Sequence, residues 1–410
     1  MKILQVNKFF RVVGGSERYL FECSRMLEEH GHEVAYFSME HPDNQPCAQS
    51  DYFVNPIEYK GTSLGYKLKT LSSTVGKTVY SFESQRKMTA LLEAFKPDLV
   101  HLHMISHQIS PSILPVIRKA GIPIVQTCHE YKLVCPNYKM YIESRNEICE
   151  RCLGGAYRHA VHNRCIKDSL AGSVLAAGAM YFHKATQIYE KNIDLFLPSS
   201  QFMADKFVEA GIPESKLRHV PNYINLEPYQ PCYESDGYVL YMGRLSEEKG
   251  IATLLKAKAL VPELELVIAG TGPLETELRE LCAVNDIKNV RLVGYQEGDA
   301  LKALISKAAF VVIPSEWYEN DPLVTLEAFA TGKPVIGAQI GGIPERIQEG
   351  ETGLLFESGN VEALSVCLQK LSDTSLCREM GENARTYIEG FSDGYYDRLM
   401  DIYAEAGATP

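Results

Sequence analysis

Tyr238-Val239-Leu240-Tyr241-Met242-Gly243-Arg244-Leu245-Ser246-Glu247-Glu248-Lys249-Gly250 carries the signals that decide the fold. Its first five residues are apolar or aromatic without polar alternation, which reads as a strand buried on both faces and hence part of a parallel sheet. Gly243 breaks the run, a short polar loop follows, and residues 251–260 continue with the spacing of an amphipathic helix. Strand, loop and helix in that order are half of a βαβ unit. Arg244 leaves the end of the strand and Lys249 opens the next helix, so both can point at one anion lying above the helix end. A second reading pairs Arg244 and Lys249 with Glu247 or Glu248 on a solvated surface.

Outward from this stretch the same alternation fills the chain of 410 residues. Strands are predicted at 2–6, 33–38, 99–103, 123–127 and 195–198, then at 238–242, 264–269, 290–293, 310–314 and 334–337. Amphipathic stretches such as 16–29 lie between them. Two doubly wound α/β domains follow, with a linker in 220–237 where Pro221, Pro228 and Pro231 interrupt the periodicity. The expected division is residues 1–220, residues 221–390 and a last helix in 391–410. In that helix Tyr395, Tyr396, Leu399, Met400 and Tyr403 share one face, and the first domain is the candidate to receive it. The ligand crevice is expected between the domains, on loops that follow the strands.

Hydrophobic residues make up 45% of the chain and charged residues 23%, an ordinary globular balance. The net charge of -11 excludes bulk attraction to nucleic acid. Residues 1–200 carry 23 Lys and Arg against 19 Asp and Glu, whereas residues 201–410 carry 18 against 33. Halves of opposite sign suit domains that face different partners. No secretory signal and no apolar run of membrane-spanning length is read, so the expected location is the cytoplasm. Eleven cysteines in a reducing compartment are free thiols or metal ligands rather than disulfides.

Further loops carry candidate chemistry. Gly14-Gly15, followed by Ser16 and Glu17, opens the first helix, where paired glycines admit a phosphate or simply make a tight turn. The segment from Ser315 to Ala328 contains Glu319 and Glu327, with Pro322 placed to start a helix, so Glu319 falls in the loop and Glu327 within the helix. Both carboxylates can accept hydroxyl hydrogen bonds of the kind a sugar or ribose offers. Gly270-Thr271-Gly272-Pro273 and Gly341-Gly342-Ile343-Pro344-Glu345 close two more connections, as ligand contacts or as ordinary turns.

Taken together, the ordered motifs resemble glycosyltransferase family 4, retaining sugar transferases built on the GT-B fold of two facing Rossmann-like domains. The resemblance covers essentially the whole chain. It implies that Arg244 and Lys249 hold a donor diphosphate and that Glu327 takes the ribose hydroxyls. Glu319 would contact the donor sugar as a catalytic residue, with the Asn320-Asp321-Pro322-Leu323 backbone approaching sugar and phosphate. Tyr295 falls where the family places the base, and Gly14, Gly15 and Gly272 join the donor-binding set. His129, in Thr127-Cys128-His129-Glu130, matches the active-site histidine of the family; a lone histidine after a strand is otherwise a structural hydrogen-bonder. Asn320-Asp321 stands where many relatives carry a Gly-aromatic-Gly run, a departure that bears on which sugar is used. No D-x-D triplet occurs, so Arg244, Lys249 and helix N-termini are expected to neutralise the diphosphate without a catalytic metal or cofactor. The implied reaction moves a sugar from a UDP- or GDP-sugar to a glycan or lipid-linked hydroxyl, in cell-surface polysaccharide or glycolipid biosynthesis. The alternatives are a sugar-nucleotide 2-epimerase of the same fold and a non-catalytic, zinc-stabilised interaction protein.

Cys135, Cys149, Cys152 and Cys165 sit in an insertion at about 132–190, where the C-x2-C step and four sulfurs suit structural zinc. Regulatory thiols or disulfides are the other readings. Lys132 to Lys191 holds nine Lys and Arg against five acidic residues, together with the weakly polar residues 170–182. Here too two readings stand, a peripheral membrane platform or a buried helix in a solvated basic surround.

Overall fold

A computed structural model of the chain describes residues 1–56, 76 and 79–408. The chain divides into two compact units. One comprises Met1–Ile142, Cys149–Pro221 and Tyr395–Pro410; the other comprises Glu143–Ile148 and Asn222–Gly394.

The first unit is built on a parallel sheet of β1 (Lys2–Val6), β2 (Glu33–Phe37), β3 (Leu99–Leu102), β4 (Ile124–Cys128) and β5 (Leu195–Pro198). Its strand order is β2-β1-β3-β4-β5, with Ile3 opposite both Val34 and Leu99. Every residue of β3, β4 and β5 is buried, the polar His101, Gln126 and Thr127 included. Each fully buried Val, Leu or Ile contributes roughly 1.5–3 kcal/mol of transfer free energy, so strands of this composition are covered on both faces. Helix α1 (Gly15–Glu29) covers it with Tyr19, Leu20, Cys23, Met26 and Leu27, a helical stripe that is buried while the other side stays in solvent.

The second unit holds six parallel strands: β6 (Tyr238–Met242), β7 (Glu265–Ala269), β8 (Val290–Gly294), β9 (Ala308–Ile313), β10 (Val335–Ala338) and β11 (Gly353–Phe356). Their order is β8-β7-β6-β9-β10-β11. The chain builds outward from β6 in one direction, then returns to β9 and builds in the other. The point of reversal lies between β6 and β9, where open α/β sheets leave a crevice beyond the strand ends. Strand β11 has no counterpart in the sequence reading, because Gly350 to Gly353 looks like a turn. Gly353 is required by the sheet itself, since a Cβ there would stand 2.0 Å from the Val335 carbonyl oxygen.

The last helix, here α5 (Tyr395–Glu405), belongs to the first unit. Tyr395 shares a 2.8 Å hydroxyl hydrogen bond with Tyr19, and Tyr403 shares one of 2.7 Å with His101 Nδ1. Tyr396 stacks on His30 at 3.8 Å and meets His32 Nε2 at 2.7 Å. Helical spacing identified the apolar face, but the partner is chosen by polar groups hundreds of residues away. Tyr403→Phe should therefore lower unfolding free energy by about 1–3 kcal/mol by stranding His101 Nδ1 in the core. Urea unfolding of the full chain would measure it, and a change of only a few tenths would contradict this docking.

Candidate active site

In the second unit, four loops leave the carboxyl ends of neighbouring strands and interlock. The loop after β6 ends in a single 3-10 turn, Glu247–Lys249, and Gly250 then opens helix α3 (Ile251–Ala259). Gly250 has φ +66°, and a Cβ on it would lie 1.9 Å from the Pro314 carbonyl oxygen, so only glycine lets this loop seat on the one after β9. The Glu316 N–H donates to the Glu248 carbonyl at 2.8 Å, and the Thr253 hydroxyl donates to Glu316 Oε1 at 2.5 Å. Gly272 plays the corresponding part for the loop after β7, because a Cβ there would come within 2.2 Å of the Leu245 carbonyl oxygen. Its placement serves loop packing. The loop after β10 is tied in by the Gly342 N–H, which donates to the Glu319 carbonyl at 2.8 Å.

This frame sets the charged side chains. Lys249 Nζ lies 2.5 Å from Glu319 Oε1, which also accepts from the Ser315 hydroxyl at 2.8 Å. Lys249 further lies over the Trp317 ring, 5.1 Å from its centroid. Burial pushes the Glu319 carboxyl up, but the Lys249 charge and the hydrogen bonds from Lys249 and Ser315 outweigh it and hold the group below its ordinary value. Glu319 is therefore ionised in the folded protein. The pairing of Lys249 with Glu247 or Glu248 is not the one formed. Arg244 is exposed, and its guanidinium has no ion-pair partner among the described residues. Glu327 is buried inside helix α4 (Leu323–Ala330) and accepts from the Tyr229 hydroxyl at 3.3 Å. Pro322 precedes the first turn of that helix as expected, with Asn320 and Leu323 half-buried beside it. Tyr295, directly after β8, is 58% exposed and donates to Glu297 Oε2 at 3.0 Å.

The expectation for Asp321 concerned its backbone; its side chain has partners of its own. Its side chain is not presented to a ligand but is consumed in the structure. Arg346 donates to both oxygens, at 2.8 and 2.7 Å, and the Asn222 N–H donates at 2.6 Å. Both charged side chains are almost wholly buried, at 4% and 2% exposed. Arg346 also stacks 4.2 Å from the Phe391 ring centroid and donates to the Asn222 carbonyl at 3.0 Å. The pair anchors the Glu319 loop from below.

In the first unit, the loop after β1 is held by Glu17, itself buried. Its Oε2 accepts the Gly14 N–H at 3.0 Å, and its Oε1 accepts Asn7 Nδ2 at 3.1 Å. This leaves Gly14 and Gly15 exposed at the start of α1. His129 follows β4 and belongs to a ladder of histidines. His129 Nε2 is 3.1 Å from His103 Nδ1, and the two rings stack with centroids 5.3 Å apart. His103 Nε2 is 2.7 Å from Gln5 Oε1, and His101 stacks on His103 at 4.5 Å. Burial pushes His101 and His129 down to about 3 and His103 well down, so all three are neutral near pH 7. Gln5 Oε1 accepts only, which places the His103 proton on Nε2 and leaves Nδ1 to accept from His129 Nε2–H. His129 is thus fixed with its proton on Nε2. Glu130 and Lys132 line a small cavity with it, and burial lowers the Lys132 ammonium to about 8. Sequence reading singled out neither, nor His103; their signal was adjacency to His129 and the parallel position on the next strand.

All four cysteines of the insertion belong to the first unit. Among the described residues no group of three His, Cys, Asp or Glu side chains is placed to hold one metal ion, although Cys135, Cys149 and Cys165 all lie within electrostatic reach of Cys152. None of the four is in a disulfide. Cys135 Sγ instead donates to Asn137 Oδ1 at 2.9 Å, and Cys152 is buried against Tyr157, Ala160, Ala177 and Met180. Burial, with Cys135, Cys149 and Cys165 nearby, pushes the Cys152 thiol up to about 12.

Two outcomes are expected. Asp321→Ala leaves Arg346 buried without its counter-charge and should cost about 3–5 kcal/mol, read by thermal or urea unfolding; a loss under 1 kcal/mol would contradict the anchoring role. The neutral histidines make stability fall on acidification: the unfolded chain takes up protons below about pH 6.5, while the folded chain resists until about 3. The slope reaches at most ~1.4 kcal/mol per pH unit for each histidine. Unfolding free energies at pH 7 and pH 5 test this, and His101→Asn should flatten the dependence.

Comparison with known proteins agrees with this geometry. Residues 13–228 match the family profile described as Glycosyltransferase Family 4, and residues 227–387 match Glycosyl transferases group 1. The chain is 32% identical over 410 aligned residues to N-acetyl-alpha-D-glucosaminyl L-malate synthase of Bacillus anthracis, covering 95% of each protein. In fold it is similar to sucrose-phosphate synthase of Thermosynechococcus elongatus, with a TM-score of 0.70, 19% identity and 98% of each chain covered. It is likewise similar to Anabaena HepE in complex with UDP and glucose, with a TM-score of 0.62, 18% identity and coverage of 98% and 99%. A doubly wound second unit with an Arg–Lys loop and two buried glutamates at its switch point, matched by family profiles from residue 13 to residue 387, places this chain in glycosyltransferase family 4, with the GT-B fold.

Proposed function

We propose that the protein is a retaining, hexosyl-type glycosyltransferase that takes its sugar from a UDP- or GDP-sugar and delivers it to a hydroxyl of a glycan or lipid-linked acceptor. The observation that carries this reading is the charge arrangement at the β6–β9 reversal point. Exposed Arg244 and the Lys249–Glu319 pair stand on loops locked together by backbone contact. A nucleoside diphosphate brings two features to such a place. Its phosphates need fixed cations, and its ribose and sugar need acceptors.

Arg244 and Lys249 would neutralise the diphosphate, as preorganised charge at the position where negative charge develops. Glu327 would accept the ribose hydroxyls and Tyr295 would face the base. Glu319, already ionised, would accept a sugar hydroxyl when Lys249 turns to phosphate. Asn320, Pro322 and Leu323 supply backbone to the donor, with Asp321 acting through its anchor on Arg346. The solved relative with UDP and glucose supports this donor class.

In the transfer, the bond from the anomeric carbon to the phosphate oxygen breaks and a bond to the acceptor oxygen forms on the same face. The acceptor proton passes to the departing diphosphate oxygen. His129, held neutral by burial and oriented by His103, would meet the donor sugar as a neutral ring rather than as an imidazolium proton donor.

Release of free nucleotide from a panel of nucleotide sugars tests the proposal. Slow hydrolysis of one UDP- or GDP-sugar without acceptor is the expected result. Glu327→Ala should weaken nucleotide binding by roughly 10- to 100-fold, as expected on losing hydrogen bonds to a charged group. His129→Ala should leave nucleotide affinity intact and lower turnover. Unchanged nucleotide affinity in Glu327→Ala would refute the ribose assignment.

A further inference from the structure

Helix α2 (Leu170–Thr186) is the part of the first unit that the proposed reaction does not use. No charged residue occurs from Leu170 to Phe182. A helix that is apolar all round is normally enclosed, yet only one side of this one is. Ser173, Ala176, Ala177 and Met180 face inward, with Ala177 and Met180 in the small core around Cys152 and Tyr157. On the outer side Leu170 is 51% exposed, Val174 52%, Tyr181 44% and Phe182 41%. These residues, with exposed Gly178 between them, form a continuous stripe along the helix.

A groove of about 940 Å³ runs beside the stripe. One wall is Val174, Gly178 and Tyr181; the other carries Arg151, Arg158 and His162. Both arginines are exposed. The neighbourhood is basic throughout: residues 149–186 hold five Lys and Arg against two acidic residues. One of those two, Glu150, is already paired with Lys206 at 2.7 Å. No helix among the described residues is long and apolar enough to cross a membrane.

We propose that this face docks on an anionic phospholipid leaflet. Leu170, Val174, Tyr181 and Phe182 enter the headgroup and acyl boundary, while Arg151 and Arg158 hold lipid phosphates across the groove. The two features complement a single surface. An apolar stripe alone would fit a protein partner, and a basic patch alone would fit any polyanion. An aliphatic and tyrosine face edged by arginines fits a layer that is apolar below and anionic at its rim. Attachment through one short stripe and a few charges is reversible and salt-sensitive, since added salt screens the contacts between arginine and lipid phosphate. The inference does not rest on the donor-site reading, and the two fail separately.

The test is co-sedimentation of the full chain with vesicles of phosphatidylcholine alone and of phosphatidylcholine with phosphatidylglycerol, at low and high salt. Binding is expected only with phosphatidylglycerol and should fall as salt rises. Arg151→Glu with Arg158→Glu should cut vesicle binding at least ~10-fold, and Leu170→Gln with Val174→Gln should do the same at low salt. Because all four side chains are exposed, the melting temperature and nucleotide release should stay unchanged. If either pair lowers the melting temperature, Arg158→Ala and the salt dependence of the unaltered protein decide instead. Absence from the phosphatidylglycerol pellet at low salt overturns the proposal, as does pelleting that neither pair of substitutions reduces. Concentration-dependent self-association abolished by Val174→Gln, without vesicle binding, would assign the face to a second copy and overturn it equally.

Discussion

Backbone pressed against backbone at the carboxyl ends of β6, β7 and β9 is the constraint on which the second unit depends. Gly250 sits where a methyl group would overlap the Pro314 carbonyl, and Gly272 where one would overlap that of Leu245. These contacts leave no room for independent loop movement. They convert three connections into one floor, on which Lys249 and Glu319 meet at 2.5 Å. Had the loops been held by side chains, the same charges would have cost conformational entropy to align. Here the loops themselves are seated by backbone contact, so only side chains such as Lys249 would have to turn toward a ligand.

The buried Asp321–Arg346 pair extends that floor downward. An ion pair this deep gains little net stability over a hydrophobic replacement, yet removing one partner is expensive. Its effect is to specify position: the carboxylate binds the Asn222 N–H and the guanidinium binds the Asn222 carbonyl, so the start of the second unit, the Glu319 loop and the Phe391 ring are fixed in one arrangement. In the first unit the comparable device is uncharged. Gln5, His103 and His129 form a chain of neutral hydrogen bonds, with His101 stacked beside it and tied to Tyr403. The C-terminal helix thereby bears on the ring that faces the loop after β4.

Much of the fold was legible because burial on both faces selects unbroken apolar runs. β1, β5 and β6 have the predicted limits, and most others differ by one or two residues at an end. Strand β11 was hidden because its first residue is a glycine demanded by a neighbouring carbonyl, and sequence reading treats glycine as punctuation. Glu319 in the loop and Glu327 in the helix were legible from Pro322 alone. The Asp321 side-chain pairing was hidden because its partner, Arg346, is 25 residues further on and nothing local marks it. Where each of the four cysteine sulfurs points was hidden as well, since spacing shows only which thiols are close along the chain.

The sequence by itself determined the two α/β halves, the loops that carry charge and the family to which they belong. Those features arise from local periodicity and from residue types at fixed positions after strands. Tertiary structure alone decided which charges pair, which glycines are steric necessities, which histidine orients His129 and which side of Leu170–Thr186 stays in solvent. Each of these depends on atoms brought together from distant segments, and pairing, burial and exposure are properties of that assembly rather than of any one stretch of chain.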